Sequence, residues 1–264
     1  MSGASFSDLR ARFLSALVMI AIGATAIFLG GVMFAVLAVV LSGLMGWELY
    51  RMMQPEAPEG RAEAHGLAAA ILVAVFTYTL GGFLSLAALV LGAVLLAIRM
   101  PRDRQIFGAY MLLILLAGHG LILLREGYGL VFVLWLVSIV IASDVAGYFA
   151  GRIFGGPKFW PKVSPKKTWS GTVAGWICAL AVGAGFAAWQ SWAWTVIPAS
   201  AVLALAGQLG DIAESAIKRR MGVKDSSNLI PGHGGVLDRF DALIAVSALA
   251  LVLALAGAFA GLTG

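Results

Sequence analysis

Residues 67–98 read LAAAILVAVFTYTLGGFLSLAALVLGAVLLAI, thirty-two residues without a charge, broken only at Gly81 and Gly82. Roughly 20 apolar residues cross a ~30 Å hydrocarbon layer as a helix. The stretch is therefore either two short helices or one long tilted one, and the choice sets the side of everything downstream. Further apolar runs lie near 14–30, 31–47, 106–124, 128–150, 172–189, 193–210 and 240–262. With two helices in 67–98 the chain crosses nine times. The N-terminus and the loops 48–66, 99–105, 151–171 and 211–239 then share one side with 17 of the 18 Lys and Arg, and only Arg125 lies opposite. With a single helix the division falls to 13 against 5. Cytoplasmic loops carry the excess of Lys and Arg, so nine crossings are expected, with the N-terminus and all large loops in the cytoplasm.

Composition agrees with this reading. Of 264 residues, 61% are apolar and 12% charged, about half the charge of a soluble domain. The predicted fold is all-α, a polytopic integral membrane helix bundle. It divides into N-terminal transmembrane helices over 1–127 and a C-terminal catalytic region over 128–264. One cysteine, Cys178, sits inside an apolar run and excludes disulfide frameworks, Cys-based zinc sites and thiol redox pairs. The net charge of +5 follows from topology, and no nucleic-acid partner is expected. Arg10 and Arg12 resemble the charged flank of a signal peptide, but the first apolar run continues directly into a second, so a retained helix is expected.

The acidic residues are not placed by topology. Asp8, Glu48, Glu56, Glu59, Glu63, Asp103 and Glu126 read as solvated charges in termini and loops or at their edges. Asp144, Asp211, Glu214, Asp225, Asp238 and Asp241 instead gather at the cytoplasmic ends of three apolar spans. An ionisable group at membrane depth, such as Asp144, marks a functional site by default. Asp211, Glu214, Ser215 and Lys218 share one helix face, and Asp238 and Asp241 stand one turn apart. Carboxylate oxygens without a His/Cys constellation suit Mg²⁺, and neighbouring Lys and Arg suit phosphates. That combination points to phosphoryl or nucleotidyl transfer. In the basic loop before span seven, Ser164-Pro165 breaks the chain ahead of Lys166 and Lys167, and Ser170 is placed to cap the next helix. In Ile230-Pro231-Gly232-His233-Gly234-Gly235-Val236 the glycines let backbone approach a ligand beside His233.

The run Ser215-x-x-Lys218-Arg219-x4-Lys224-Asp225-x-Ser227-x2-Ile230-Pro231-x-His233-Gly234-Gly235-Val236-x-Asp238-Arg239-Phe240-Asp241 resembles the signature of the phosphatidate cytidylyltransferase family. The segments Gly210-Asp211-x-x-Glu214-Ser215, Asp144-x3-Tyr148-x2-Gly151-Arg152 and Ser164-Pro165-Lys166-Lys167-Thr168 are similar to other parts of that family. Departures are Ser170, where relatives often carry Glu or Gln, and Val145, where Thr is frequent.

The resemblance implies a dimeric bacterial inner-membrane enzyme that condenses CTP with phosphatidate to CDP-diacylglycerol and pyrophosphate. It implies dependence on Mg²⁺ with help from K⁺, and an active site facing the cytoplasm. By the same resemblance Asp211 and Asp238 are metal ligands with Asp144 and Asp241 nearby. These four and Lys167 form the expected catalytic set. Ser164, Lys166, Lys167, Lys218, Arg219, Lys224, His233, Gly234, Gly235 and Arg239 are expected to bind substrate. Two alternatives stay open: a CTP-dependent lipid-alcohol kinase, separated by its products, and an ion-coupled transporter, against which the acids lie on one side rather than across the midplane.

Overall fold

The computed structural model describes residues 6–262, with side chains from residue 9, so the Asp8 side chain lies outside the described residues. Its helices are α1 (Phe6–Leu29), α2 (Gly31–Met53), α3 (Arg61–Thr79), α4 (Gly82–Ile98), α5 (Arg104–Ile153), α6 (Trp169–Gln190), α7 (Val196–Arg220) and α8 (Leu237–Leu255). Six stretches, Leu9–Leu29, α2, α3, α5, α6 and α7, are long and apolar enough to cross a membrane by length and composition. The fold is an all-α membrane protein. The 50-residue α5 holds two helical segments that meet at a kink, in keeping with the separate runs expected at 106–124 and 128–150. The join is Gly129, whose non-helical φ of 82° and ψ of −172° suits only glycine. The stretch 67–98 does form two helices: Leu80 is extended and Gly82 has a φ of 55°.

The chain forms two compact units, Met1–Ile122 with Arg220–Phe240, and Leu123–Arg219 with Asp241–Gly264. In the first unit α2 and α3 meet at glycines. A Cβ on Gly66 would lie 2.8 Å from both Gly43 O and Trp47 Cβ, so only small residues allow this approach. Tyr50 stacks on His65 with ring centroids 3.9 Å apart, and Phe107 meets both edge-on. The buried His119 lies 2.9 Å by Nδ1 from Thr77 Oγ1 and 3.2 Å by Nε2 from Ser85 Oγ, which joins α3, α4 and α5.

In the second unit the core is aromatic. Phe132, Trp135 and Phe259 pack edge to face, and the Trp135 indole N–H donates to Ser200 Oγ at 3.0 Å. The loop 151–171 is not only irregular chain. Strands β1 (Lys158–Trp160) and β2 (Ser164–Thr168) pair antiparallel, Lys158 opposite Thr168 and Trp160 opposite Ser164. The cap expected at Ser170 stands two residues earlier, at Thr168. Thr168 has the extended N-cap conformation and accepts from Gly171 N–H, while Ser170 Oγ donates to Gly155 O. The strand ends at Thr168, so that residue alone has the backbone a cap requires.

Candidate active site

Helix α7 carries the first half of the site. Gln208 fixes how the helix is turned: its amide donates to Ser143 Oγ at 3.3 Å and Thr172 O at 3.2 Å, and its carbonyl accepts from the Trp176 indole at 3.0 Å. A buried amide satisfied on three sides holds α5, α6 and α7 in one arrangement. Nothing in the sequence pointed to it. One turn later come Asp211 and Glu214, on the face expected from the sequence. Asp211, Glu214 and Asp241 bring one carboxylate oxygen each within 4.8 Å of one another. Glu214 is fully buried. Asp144 lies within electrostatic reach of Asp211 and Lys167.

Two ammonium groups balance these acids. Lys167 Nζ lies 2.6 Å from Asp211 Oδ2 and donates to Gln208 O at 3.0 Å, and Lys218 pairs with Glu214 on the next turn. Alternation along β2 sends Lys167 inward to the acids and leaves Lys166 exposed, while Ser164 is half-buried. Arg219 is exposed beyond the cluster. Helices α7 and α8 touch at Gly210, where a Cβ would lie 2.6 Å from Asp241 O and 2.7 Å from Ala245 Cβ. Gly210→Ala must push backbone apart and separate Asp211 from Asp241. We expect about a tenfold or larger fall in turnover with a lower thermal midpoint, overpacking costing about 1–3 kcal/mol. Gly185→Ala, with nothing within 4 Å, should leave both unchanged.

The signature loop belongs to the first unit. Asp238 Oδ2 accepts from Gly235 N–H at 2.7 Å and from both the N–H and the hydroxyl of Ser226 at 2.9 Å. Glu48, read from the sequence as a solvated charge, is fully buried and holds the same loop from α2. Its carboxylate accepts from Val236 N–H (2.9 Å), Leu237 N–H (2.6 Å) and Ser227 Oγ (2.6 Å). Those amides open α8 and have no partner within the helix, so a carboxylate there both satisfies them and suits the helix dipole. Gly235 leaves room for it, since a Cβ would stand 2.5 Å from Glu48 Oε1. Gly232 and Gly234, with φ of 74° and 86°, turn the chain back so that Ile230 N–H donates to Gly234 O at 2.8 Å. The turn opens a cleft of about 520 Å³ lined by Lys224, Asp225, His233 and Arg239.

A model of the cytidylyltransferase family matches residues 10–256. The chain belongs to the cytidylyltransferase family. Phosphatidate cytidylyltransferases of Brucella suis and Brucella abortus are 34% identical to it over 249 residues, 92% of each chain. That of Staphylococcus aureus is 41% identical over 128 residues, 47% of this chain and 49% of the relative. The cluster gathers carboxylate oxygens that could hold a cation, with two ammonium groups beside them.

Proposed function

We propose that this cytidylyltransferase condenses CTP with phosphatidate to give CDP-diacylglycerol and pyrophosphate. The observation that carries the proposal is the meeting of Asp211, Glu214 and Asp241 beside Lys167 and Lys218 in a chain alike over 92% of its length to phosphatidate cytidylyltransferases. An oxygen of the phosphatidate monoester forms a bond to the α-phosphorus of CTP, and the bond from that phosphorus to the β-phosphate bridge oxygen breaks, releasing pyrophosphate. A phosphomonoester is largely ionised near neutral pH, its second pKa being about 6, so no strong base is required. The residues instead bring two polyanions together and neutralise them.

Three hard carboxylates, one wholly buried, fit Mg²⁺, and Asp211, Glu214 and Asp241 would hold it. When bound it supplies charge stabilisation on the triphosphate and the departing pyrophosphate. Asp144 adds to the local negative charge. Asp238, one turn before Asp241 on α8, is proposed as a further ligand on the family resemblance, and K⁺ as a helper ion on the same ground. Lys167 and Lys218 neutralise phosphate oxygens, their ammonium groups exchanging carboxylate for phosphate. Lys166 and Arg219, exposed on either side, draw the anions in. Nine crossings with the loops in the cytoplasm would let CTP arrive from water and phosphatidate from the inner leaflet of a bacterial plasma membrane. A homodimer completes the proposal.

The test is product analysis on the full chain in detergent, supplied with CTP, phosphatidate and Mg²⁺. CDP-diacylglycerol and pyrophosphate in equal amounts are expected, with release abolished by a chelator and restored by excess Mg²⁺. Release of CDP with phosphorylation of a lipid alcohol would contradict the proposal.

A further inference from the structure

We infer that the first helix and the signature loop together form a phosphate-binding cleft, with Arg12 as one of its phosphate-binding residues. The sequence accounts for Arg12 by topology alone. In the structure Arg12 lines the cleft with Lys224, Arg239 and His233, three cations or potential cations with Asp225 as their one acidic neighbour in the lining. The contact between α1 and the loop is built rather than incidental. The stem of Arg12 lies on Gly232, where a Cβ would stand 2.5 Å from Arg12 Cγ. Gly232 also needs its φ of 74°, so glycine serves both the turn and the close approach. Three residues along the same face, Ser15 Oγ donates to Pro231 O at 3.0 Å and lies 2.8 Å from His233 Nδ1. Ser15 thus anchors the imidazole by its Nδ1 edge, and α1 grips the loop on both sides of the turn. Arg10, two residues earlier, points to another side of the helix and is not part of the lining.

A cleft of about 520 Å³ with a surplus of positive charge suits a phosphate-bearing group of nucleotide size. Arg offers a planar fork of donors that matches phosphate, which Lys does not. The inference rests on the proposed reaction for the identity of the substrate, and two phosphates share the chemistry: the triphosphate of CTP and the monoester of phosphatidate. On α1, beside Arg12, the apolar side chains of Leu9, Phe13 and Leu14 are exposed.

The experiment uses the full chain in detergent. Affinity for inorganic pyrophosphate, read by calorimetry, needs no turnover, and the KM values for CTP and phosphatidate are measured separately. Arg12→Ala should weaken pyrophosphate binding about tenfold or more, as expected for a charge-assisted hydrogen bond. It should raise one KM by a similar factor with kcat less affected: that of CTP if the triphosphate sits here, that of phosphatidate if the lipid headgroup does. Arg12→Lys should recover part of the loss, and Arg10→Ala, which removes the same charge from the same flank, should lose nothing. Pyrophosphate affinity and both KM values unchanged in Arg12→Ala would overturn the inference. Pyrophosphate binding that depends on Arg12 in a chain making no CDP-diacylglycerol would sustain the cleft and refute the proposed reaction instead.

Discussion

Asp211→Asn should abolish formation of CDP-diacylglycerol while the protein still inserts and folds. The carboxylate does three things at once: it contributes an oxygen to the cluster with Glu214 and Asp241, pairs with Lys167 at 2.6 Å, and accepts from Ser215 Oγ at 3.3 Å. The amide keeps the shape and one acceptor but loses the charge that holds a divalent cation. Several kcal/mol of charge stabilisation disappear with it, so turnover should fall about 10³-fold or more. The side chain is 34% exposed and Lys167 keeps its bond to Gln208 O, so the thermal midpoint in detergent should barely move. Assays of pyrophosphate release and thermal melting on the same preparation separate the two effects. Turnover within about tenfold of wild type would remove Asp211 from the metal site.

The largest expected effect on stability is that of Glu48→Ala. Two buried opening amides of α8 and the half-buried hydroxyl of Ser227 lose their acceptor. Each buried group left unsatisfied costs about 1–3 kcal/mol, so the loss should reach about 3–5 kcal/mol, a large share of the stability of any domain. Glu48→Gln keeps one carbonyl acceptor and should fall between Ala and wild type. Thermal melting reads the loss, and limited proteolysis should open the chain within residues 221–236. A melting point and cleavage pattern equal to wild type would show that the carboxylate does not hold the loop. The hydroxyl of Ser226, which reaches Asp238 at 2.9 Å and Glu48 at 3.4 Å, links the two carboxylates, so activity should fall along with loop stability.

The contrast between these two residues shows what a sequence exposes. Asp211 was legible because its partners on α7 recur at helical spacing and its neighbours Ser215 and Lys218 belong to a local pattern. Asp241 was legible for the same reason at the start of α8. Glu48 was not. It stands at the end of an apolar run beside Trp47, Tyr50 and Arg51, a setting that suits a boundary charge, and its partners are backbone amides almost 190 residues away. Backbone donors have no sequence identity, so such a contact leaves no pattern to read.

Glu214 shows a milder form of the same limit. Its place on the stripe was visible, but a stripe at helical spacing is more often a solvated edge, and only the packing reveals that it is fully buried in the acid cluster. The apolar scaffold, including the break at Gly81 and Gly82, was legible element by element, though not at every helix end. The exact place of the break between the runs 106–124 and 128–150, at Gly129, was not, because where a glycine interrupts a helix depends on what packs beside it. The hairpin of β1 and β2 escaped for a related reason. Strands of three and five residues containing Ser-Pro-Lys-Lys carry little apolar alternation and are defined by their pairing.

The central claim is that Asp211, Glu214 and Asp241 form a cation site, and it can be read without turnover. Mn²⁺, which shares the preference of Mg²⁺ for carboxylate oxygen, reports binding to the full chain by electron paramagnetic resonance. The wild type should bind Mn²⁺ in competition with Mg²⁺, and Asp211→Asn, Glu214→Gln and Asp241→Asn should each weaken that binding about tenfold or more, one charged ligand being lost from three. Equal Mn²⁺ affinity in the wild type and all three variants would contradict the account.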